Sequence, residues 1–502
     1  MKVAKSLKLA HTSSVLISII LNGLLVVGLF TFITLSSGME RDTTTVMVID
    51  PVNQEDIEEL EEEIVEEVQE PDDLDELVDF TLDTPMDTQF EQETEAVADV
   101  TNTDVSSLSD LMSDVSSPVV MTGLLVGRTP RARQAAAARY GRGLEKFSEP
   151  AVMEALEWLR DHQAPNGSWN KNGTVRNNEG NTGYTGLALL TFLAHGETPA
   201  SAEFGPTVAK AIRFLVENQK PDGTLRPAGA HTSYGHAIGT YALAESYTMT
   251  DNILLREPLE RAVQVMIKGQ MPNGGYDYDY RKENRNDLSV GAWHVQSLKA
   301  AAIALPENKE IKKYMNSAMD GMLMGSKLRE QGRGYTYTVS NNGGNVGSPR
   351  PILSSAGTLG LHLTGRGKSK EAKESLDYIE QFTSSEKLPQ WGRNPEFGGG
   401  GHIMLWYYTV QAFFQEDPDG KNFRRYMPSM VKALTENQAD DGHWLCYSEG
   451  GKQGPVFHTT LAALGLMVYY RYLPTTQASN VQQAAPVDIE VEEEEDEFSF
   501  DI

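Results

Sequence analysis

One phrase recurs four times along this chain and restricts what the chain can fold into. It reads Gln163-Ala-Pro-Asn-Gly167-Ser-Trp169, then Gln219-Lys-Pro-Asp-Gly223-Thr-Leu225, then Gln270-Met-Pro-Asn-Gly274-Gly-Tyr276, and finally Gln438-Ala-Asp-Asp-Gly442-His-Trp444. The first three copies start 56 and 51 residues apart, and the last follows after 168, three periods of 56. A fixed period of about 50 residues marks a repeat architecture, in which each unit buries its apolar face only by stacking on its neighbours.

Each unit has the same plan. An amphipathic helix leads in, as in the run that begins at Ala151 and contains Trp158, with apolar residues at three- and four-residue spacing. The Pro-Asn/Asp-Gly core stops it, because Pro cannot continue a helix and Gly supplies the positive φ of a tight turn. A second, more apolar helix rich in small residues follows near Gly183, Ser233, Asp287, Ser354, His402 and His458. Weaker copies of the turn around Gly332-Arg-Gly-Tyr335 and Leu388-Pro-Gln-Trp391 fill the long gap, which makes six helix pairs. Polar outer helices and apolar inner ones suit a closed double ring, since closure buries the inner set without capping repeats.

The remainder of the chain is of a different kind. The net charge of −28 is concentrated outside the ring: residues 42–114 hold 26 acids and no Lys or Arg, and Glu492 to Glu497 dominate an acidic tail. Dense like charge with low hydrophobicity predicts segments that do not fold alone. The expected organisation is a cytoplasmic tail at 1–14, a transmembrane anchor at 15–36, an acidic disordered linker at 37–127, a basic connector at 128–147, the ring at 148–474 and an acidic disordered tail at 475–502. The connector, with Arg128, Arg131, Arg133, Arg139 and Arg142, reads as a solvated helix. Residues 15–36 are long enough to span a bilayer. Lys2, Lys5 and Lys8 before the span and acids after it predict a single-pass membrane protein whose bulk is extracytoplasmic, periplasmic in a Gram-negative cell. Ser18 and Asn22 offer the anchor a hydrogen-bonding face for a membrane-protein partner, beside its lipid contacts. One cysteine, Cys446, excludes an internal disulfide, and the acidic flanks argue against nucleic acid.

Gln-x-x-x-Gly-x-Trp resembles the repeat signature of the squalene cyclase and protein prenyltransferase superfamily, in the manner of a membrane-anchored bacterial member. The resemblance covers residues 148–474 and implies an all-α (α/α)6 toroid. It also implies a central cavity ringed by the starts of the inner helices, where His231, Tyr234, His236, Trp293, His294, Trp406 and Tyr407 are the candidate lining. The cyclase acid motif Asp-x-Asp-Asp is absent from the ring; Asp287, ahead of Trp293, is the candidate catalytic acid. The prenyltransferase zinc set is incomplete. His458 matches the family's His segment, His402 stands in the Cys place, and Cys446 would be the third ligand of a candidate zinc site. With both motifs broken, the expectation is a toroid that binds an apolar isoprenoid or a peptide. The alternative is a terpenoid cyclase or prenyltransferase-like enzyme using Asp287 or the His402/Cys446/His458 metal site.

Overall fold

The protein is represented by a computed structural model, which describes residues 128, 130–173, 180–227, 231–282, 285–330, 332–340, 347–384, 388–391, 402–445 and 453–471. The expected anchor at 15–36, the acidic linker at 37–127 and the tail at 475–502 lie outside the described residues. Among the described residues no helix is long and apolar enough to cross a membrane.

Fourteen α-helices and four short strands make up the described chain. After α1 (Pro130–Ala136), six outer helices alternate with six inner ones. The outer helices are α2 (Glu145–Asp161), α4 (Gly205–Glu217), α6 (Arg256–Gly269), α8 (Lys309–Met324), α10 (Lys370–Glu380) and α12 (Lys421–Thr435). The inner helices are α3 (Thr182–His195), α5 (Thr232–Thr250), α7 (Leu288–Ala304), α9 (Pro351–Leu363), α11 (His402–Glu416) and α13 (Gly454–Leu466), and the ring ends at α14 (Val468–Arg471). Outer helices bury one stripe: α4 turns Val208, Ala211, Ile212 and Leu215 inward at three- and four-residue spacing. Inner helices are buried nearly all round, which their small residues permit. Each inner helix packs on the next, α13 returns to α3, and α12 meets α2. The expected (α/α)6 toroid of six helix pairs is therefore the observed fold.

The recurring phrase is what joins one unit to the next. The Gln163 amide donates to the Gly167 carbonyl behind it and to Thr207 of the next outer helix, at 3.1 and 2.9 Å. Gln219 does the same to Gly223 and to Pro258 of α6. Gln270 donates to the Tyr276 hydroxyl and to Tyr314 of α8. Gln438 closes the circle, donating to Gly442 and to Ala151 of α2, both at 2.8 Å. The glycine of each phrase has φ near +90° (+86, +90, +84 and +91° in chain order) and lies against the neighbouring outer helix. A Cβ on Gly167 would stand 2.2 Å from the Lys210 carbonyl oxygen, and one on Gly442 2.4 Å from that of Glu154. The closing Trp169 and Trp444 donate from Nε1 to Leu159 and Leu434, the last turns of their own outer helices.

The fourth unit keeps the packing with other residues. Its turn is a hairpin of β2 (Ser326–Arg329) and β3 (Gly332–Tyr335), registered Ser326 opposite Tyr335 and Arg329 opposite Gly332. Leu328 occupies the Gln position, and Arg333 reaches the next outer helix instead, through Glu374 at 2.9 Å. Tyr335 takes the aromatic place: its N–H donates to Ser354 Oγ as Trp169 N–H does to Thr185 Oγ1.

One end of the ring is filled. Arg128, expected in a solvated connector, is fully buried at the C-terminal ends of the inner helices. Its guanidinium forks onto Glu245 of α5 at 2.7 and 3.0 Å, and its Nε donates to the Arg471 carbonyl. Arg471, also buried, donates to the hydroxyls of Tyr241 and Tyr407, and Tyr407 donates to Gln296. Such a pair costs desolvation that geometry must offset, so removing one partner is worse than removing both.

Gly442→Ala imposes a left-handed backbone on a residue with a Cβ and drives that Cβ into α2, which should cost about 2–4 kcal/mol. Gly365→Ala, at φ +76° with open space around it, should cost only about 1 kcal/mol. Urea midpoints of the full chain check the difference, and equal losses would contradict the closed seam. By the same readout Arg128→Ala should cost about 3–5 kcal/mol by stranding the Glu245 carboxylate, with part regained when Glu245→Leu is added.

Candidate functional site

The opposite end, where the inner helices begin, is open. A cavity of about 390 Å³ lies there, lined chiefly by Tyr184, Tyr234, Tyr278, Tyr337, His231 and Trp293. Tyr184 and Tyr234 each occupy the third residue of an inner helix, α3 and α5, so the repeat itself aims both rings at one space. Asn181 caps α3 by accepting from the Tyr184 N–H at 3.0 Å, and the Tyr184 hydroxyl donates to the Gln453 carbonyl. Tyr278 follows the third recurring turn. Its ring stacks on His231 with centroids 4.1 Å apart, and its hydroxyl bonds that of Tyr337.

The polar network behind these rings is built on a short sheet. Strand β1 (Arg285–Asp287) pairs antiparallel with β4 (Thr338–Ser340), Asp287 opposite Thr338. This fixes Asp287 as the cap of α7, where its carboxylate accepts from the N–H groups of Ser289 and Val290 at 3.1 and 3.3 Å. Its other oxygen accepts from Arg285 at 2.8 Å, and the side chain is fully buried. Asp287 thus reaches the cavity through relays, from the Tyr234 hydroxyl by way of Ser289 Oγ to Asp287 Oδ1, and from the Tyr278 hydroxyl by way of Arg285 to Asp287 Oδ2. Burial, and then the Asp287 charge, hold the Tyr234 phenol well above its ordinary pKa. Burial, the bond to Tyr337 and the Asp287 charge raise Tyr278 as well. Both phenols therefore stay protonated at neutral pH, as hydrogen-bond partners rather than bases. The lining contains no carboxylate among the described residues.

Of the candidate lining residues, the structure brings His231, Tyr234 and Trp293 to the cavity. His236 is buried between the Leu225 N–H, which it accepts at 3.1 Å, and the Ala262 carbonyl at 2.9 Å. His294 bridges the Val290 carbonyl and the Tyr280 hydroxyl and stacks on Tyr276 at 3.7 Å. Trp406 packs against Trp391. Tyr407 lies in the filled core, its ring 5.9 Å from that of Trp293. Of the zinc candidates, Cys446 and the His402 side chain lie outside the described residues. His458 is fully buried; the Gly454 carbonyl is near its ring, but neither nitrogen makes a hydrogen bond of good geometry. Among the described residues no three His, Cys, Asp or Glu side chains are placed to hold a metal. Sequence reasoning missed Tyr184, Tyr278 and Tyr337. The signal was there in the repeated Gly183-Tyr184 and Ser233-Tyr234, and in the alternating Asp277-Tyr278-Asp279-Tyr280 after the third turn.

Four buried histidines are kept neutral by desolvation: His236, His362 and His458 fall to about 4 and His294 to about 3. Unfolding returns each to about 6.5. Their stability is thus complete above pH 6.5 and lost as pH falls from 6.5 towards 4, because the unfolded chain alone takes up protons there. His294→Gln should flatten the fall of the urea midpoint free energy over this window by about 1.4 kcal/mol per pH unit. Superimposable slopes for the two proteins would contradict a buried neutral His294.

No family model matches the sequence, and no curated protein resembles it. Similar solved structures do exist. The family 76 α-1,6-mannanase of a Salegentibacter species is 11% identical, with 64% of this chain and 98% of that one covered at a TM-score of 0.50. An unsaturated glucuronyl hydrolase of Streptococcus agalactiae is 14% identical, with 70% and 98% covered at 0.48. At such identities the likeness is one of fold. These two neighbours are glycoside hydrolases rather than squalene cyclases or prenyltransferases, which overturns the assignment to that superfamily. The isoprenoid- or peptide-binding role and the terpenoid cyclase or prenyltransferase alternative are corrected with it. The physical reason is visible in the ring: the Gln, Gly and Trp of the motif join one helix pair to the next, and none lines the cavity.

Proposed function

We propose that the open end of the ring is a saccharide-recognition mouth. The observation that supports it is the lining: four tyrosines, a tryptophan and a histidine, beside apolar side chains such as Leu187 and Phe457, around one half-open cavity, with the Tyr234 and Tyr278 phenols held protonated. A pyranose has an apolar face of C–H groups and an edge of hydroxyls. Tyrosine meets both needs, offering a flat ring to the first and a donor–acceptor group to the second. A volume of about 390 Å³ falls in the ordinary range of ligand sites and suits one or two sugar rings.

The solved mannanase acts on an α-1,6-linked mannan; for this chain the reading extends to the ligand class and stops before cleavage. Hydrolysis of a glycosidic bond ordinarily takes two carboxyl groups flanking it, and the described lining provides none. Asp287 serves here as a positioning residue, holding Ser289 and through it the Tyr234 hydroxyl. The anchor expected at 15–36 adds a setting to the proposal: a mouth held outside the cytoplasm on a long acidic tether.

Calorimetry of the full chain against a panel of soluble oligosaccharides tests the reading, with at least one binding in the micromolar range. Tyr278→Ala removes the stacked ring beside His231 and should weaken that binding about tenfold or more, and Tyr278→Phe by less. Binding unchanged in Tyr278→Ala, or none across the panel, would overturn it.

A further inference from the structure

The rim of the mouth has a sign. Tyr337 of the lining is flanked by two guanidiniums, with Arg285 Cζ 5.9 Å and Arg350 Cζ 5.4 Å from its ring centroid. The two differ in how their charge is met. Arg285 also stands 4.6 Å over Tyr278, and its Nη2 donates to Asp287 at 2.8 Å and to the Tyr278 hydroxyl at 3.2 Å. Its charge is matched by a buried carboxylate. Arg350 is exposed, caps α9 without a side-chain cap bond, and has no acid in the first turn of that helix. Among the described residues no carboxylate pairs with it.

The nearby acids are otherwise engaged. Asp279 accepts from the Thr232 N–H and pairs with Arg281. Asp277 accepts from the N–H groups of Asp279 and Arg281. Among the described residues Arg350 thus presents a guanidinium with no carboxylate partner beside an aromatic ring of the lining. A guanidinium next to a flat ring suits a ligand that is itself a ring bearing a planar or tetrahedral anion, because the ring stacks while the fork donates to the anion's oxygens.

We propose that the saccharide received at this mouth is anionic, a uronate or a sulfated sugar, and that Arg350 reads its charge. This rests on the saccharide reading and deepens it. The test is calorimetry of the full chain at low salt with three probes of like length: an oligogalacturonate, a sulfated chondroitin oligosaccharide and a neutral manno-oligosaccharide. At least one of the anionic probes should bind about tenfold more tightly than the neutral one, a margin that shrinks as salt rises. Arg350→Gln should remove that margin and leave the neutral affinity as it was, while Arg350→Lys keeps part of it. An unchanged urea midpoint confirms that each variant is folded. If the neutral probe binds as well as the anionic ones, or if Arg350→Gln binds the anions as the natural chain does, the inference falls and the saccharide reading stands. If none of the three binds, this inference falls; the wider panel decides the saccharide reading.

Discussion

Each well-formed unit of this ring ends its outer helix on a glutamine whose amide donates twice, and the rest of the molecule follows from where the second hydrogen lands. In Gln163 and Gln219 one bond closes the local turn and the other crosses to a carbonyl in the neighbouring outer helix. A neutral hydrogen bond of this kind contributes only about 1 kcal/mol. Its importance is geometric: with the glycine at positive φ pressed on the same helix, it sets the angle between successive pairs. Repeated around the circle, that angle returns the sixth pair to the first, where Gln438 meets Ala151. Closure then decides that the inner helices point their N-terminal ends to one side and their C-terminal ends to the other.

Those two sides have opposite fates. The C-terminal side is stopped by a buried network that runs from Glu245 through Arg128 to Arg471, Tyr407 and Gln296. Above it Trp293, Tyr407 and Tyr408 lie in mutual contact as a buried aromatic core. The N-terminal side keeps an open cavity, whose polar groups include phenols and an imidazole, with Arg285 behind them on a small two-stranded sheet. The division is what leaves a ring with cyclase-like repeats room for the proposed saccharide mouth.

The ring was legible in the sequence because its signals are local and repeated. Inner helices expected near Gly183, Ser233, Asp287 and His402 begin at Thr182, Thr232, Leu288 and His402. The family was misread for the same reason: Gln-x-x-x-Gly-x-Trp reports how one helix pair seats on the next, and that requirement does not depend on the chemistry inside. Asp287 was legible as a helix start, but its partner Arg285, two residues earlier on a strand, shows only once β1 pairs with a segment 53 residues away. Arg128 was hidden more deeply, since its partners lie 117 and 343 residues along the chain and no local pattern announces them. The tyrosines of the mouth were partly legible: Tyr234 stands at an inner-helix start, whereas Tyr184, in the same third position of α3, has no neighbouring histidine or acid in the sequence to mark it.

The account depends most on the closing seam. Hydrogen exchange of the full chain, resolved to single amides, compares residues 151–155, where Gln438 and Gly442 dock, with residues 207–211, where Gln163 and Gly167 dock. A closed toroid predicts the same opening free energy at both places, because neither can separate without the whole ring. Markedly faster exchange at 151–155 would mean that the first and last pairs part on their own, and would contradict the closed ring on which the mouth and its floor are built.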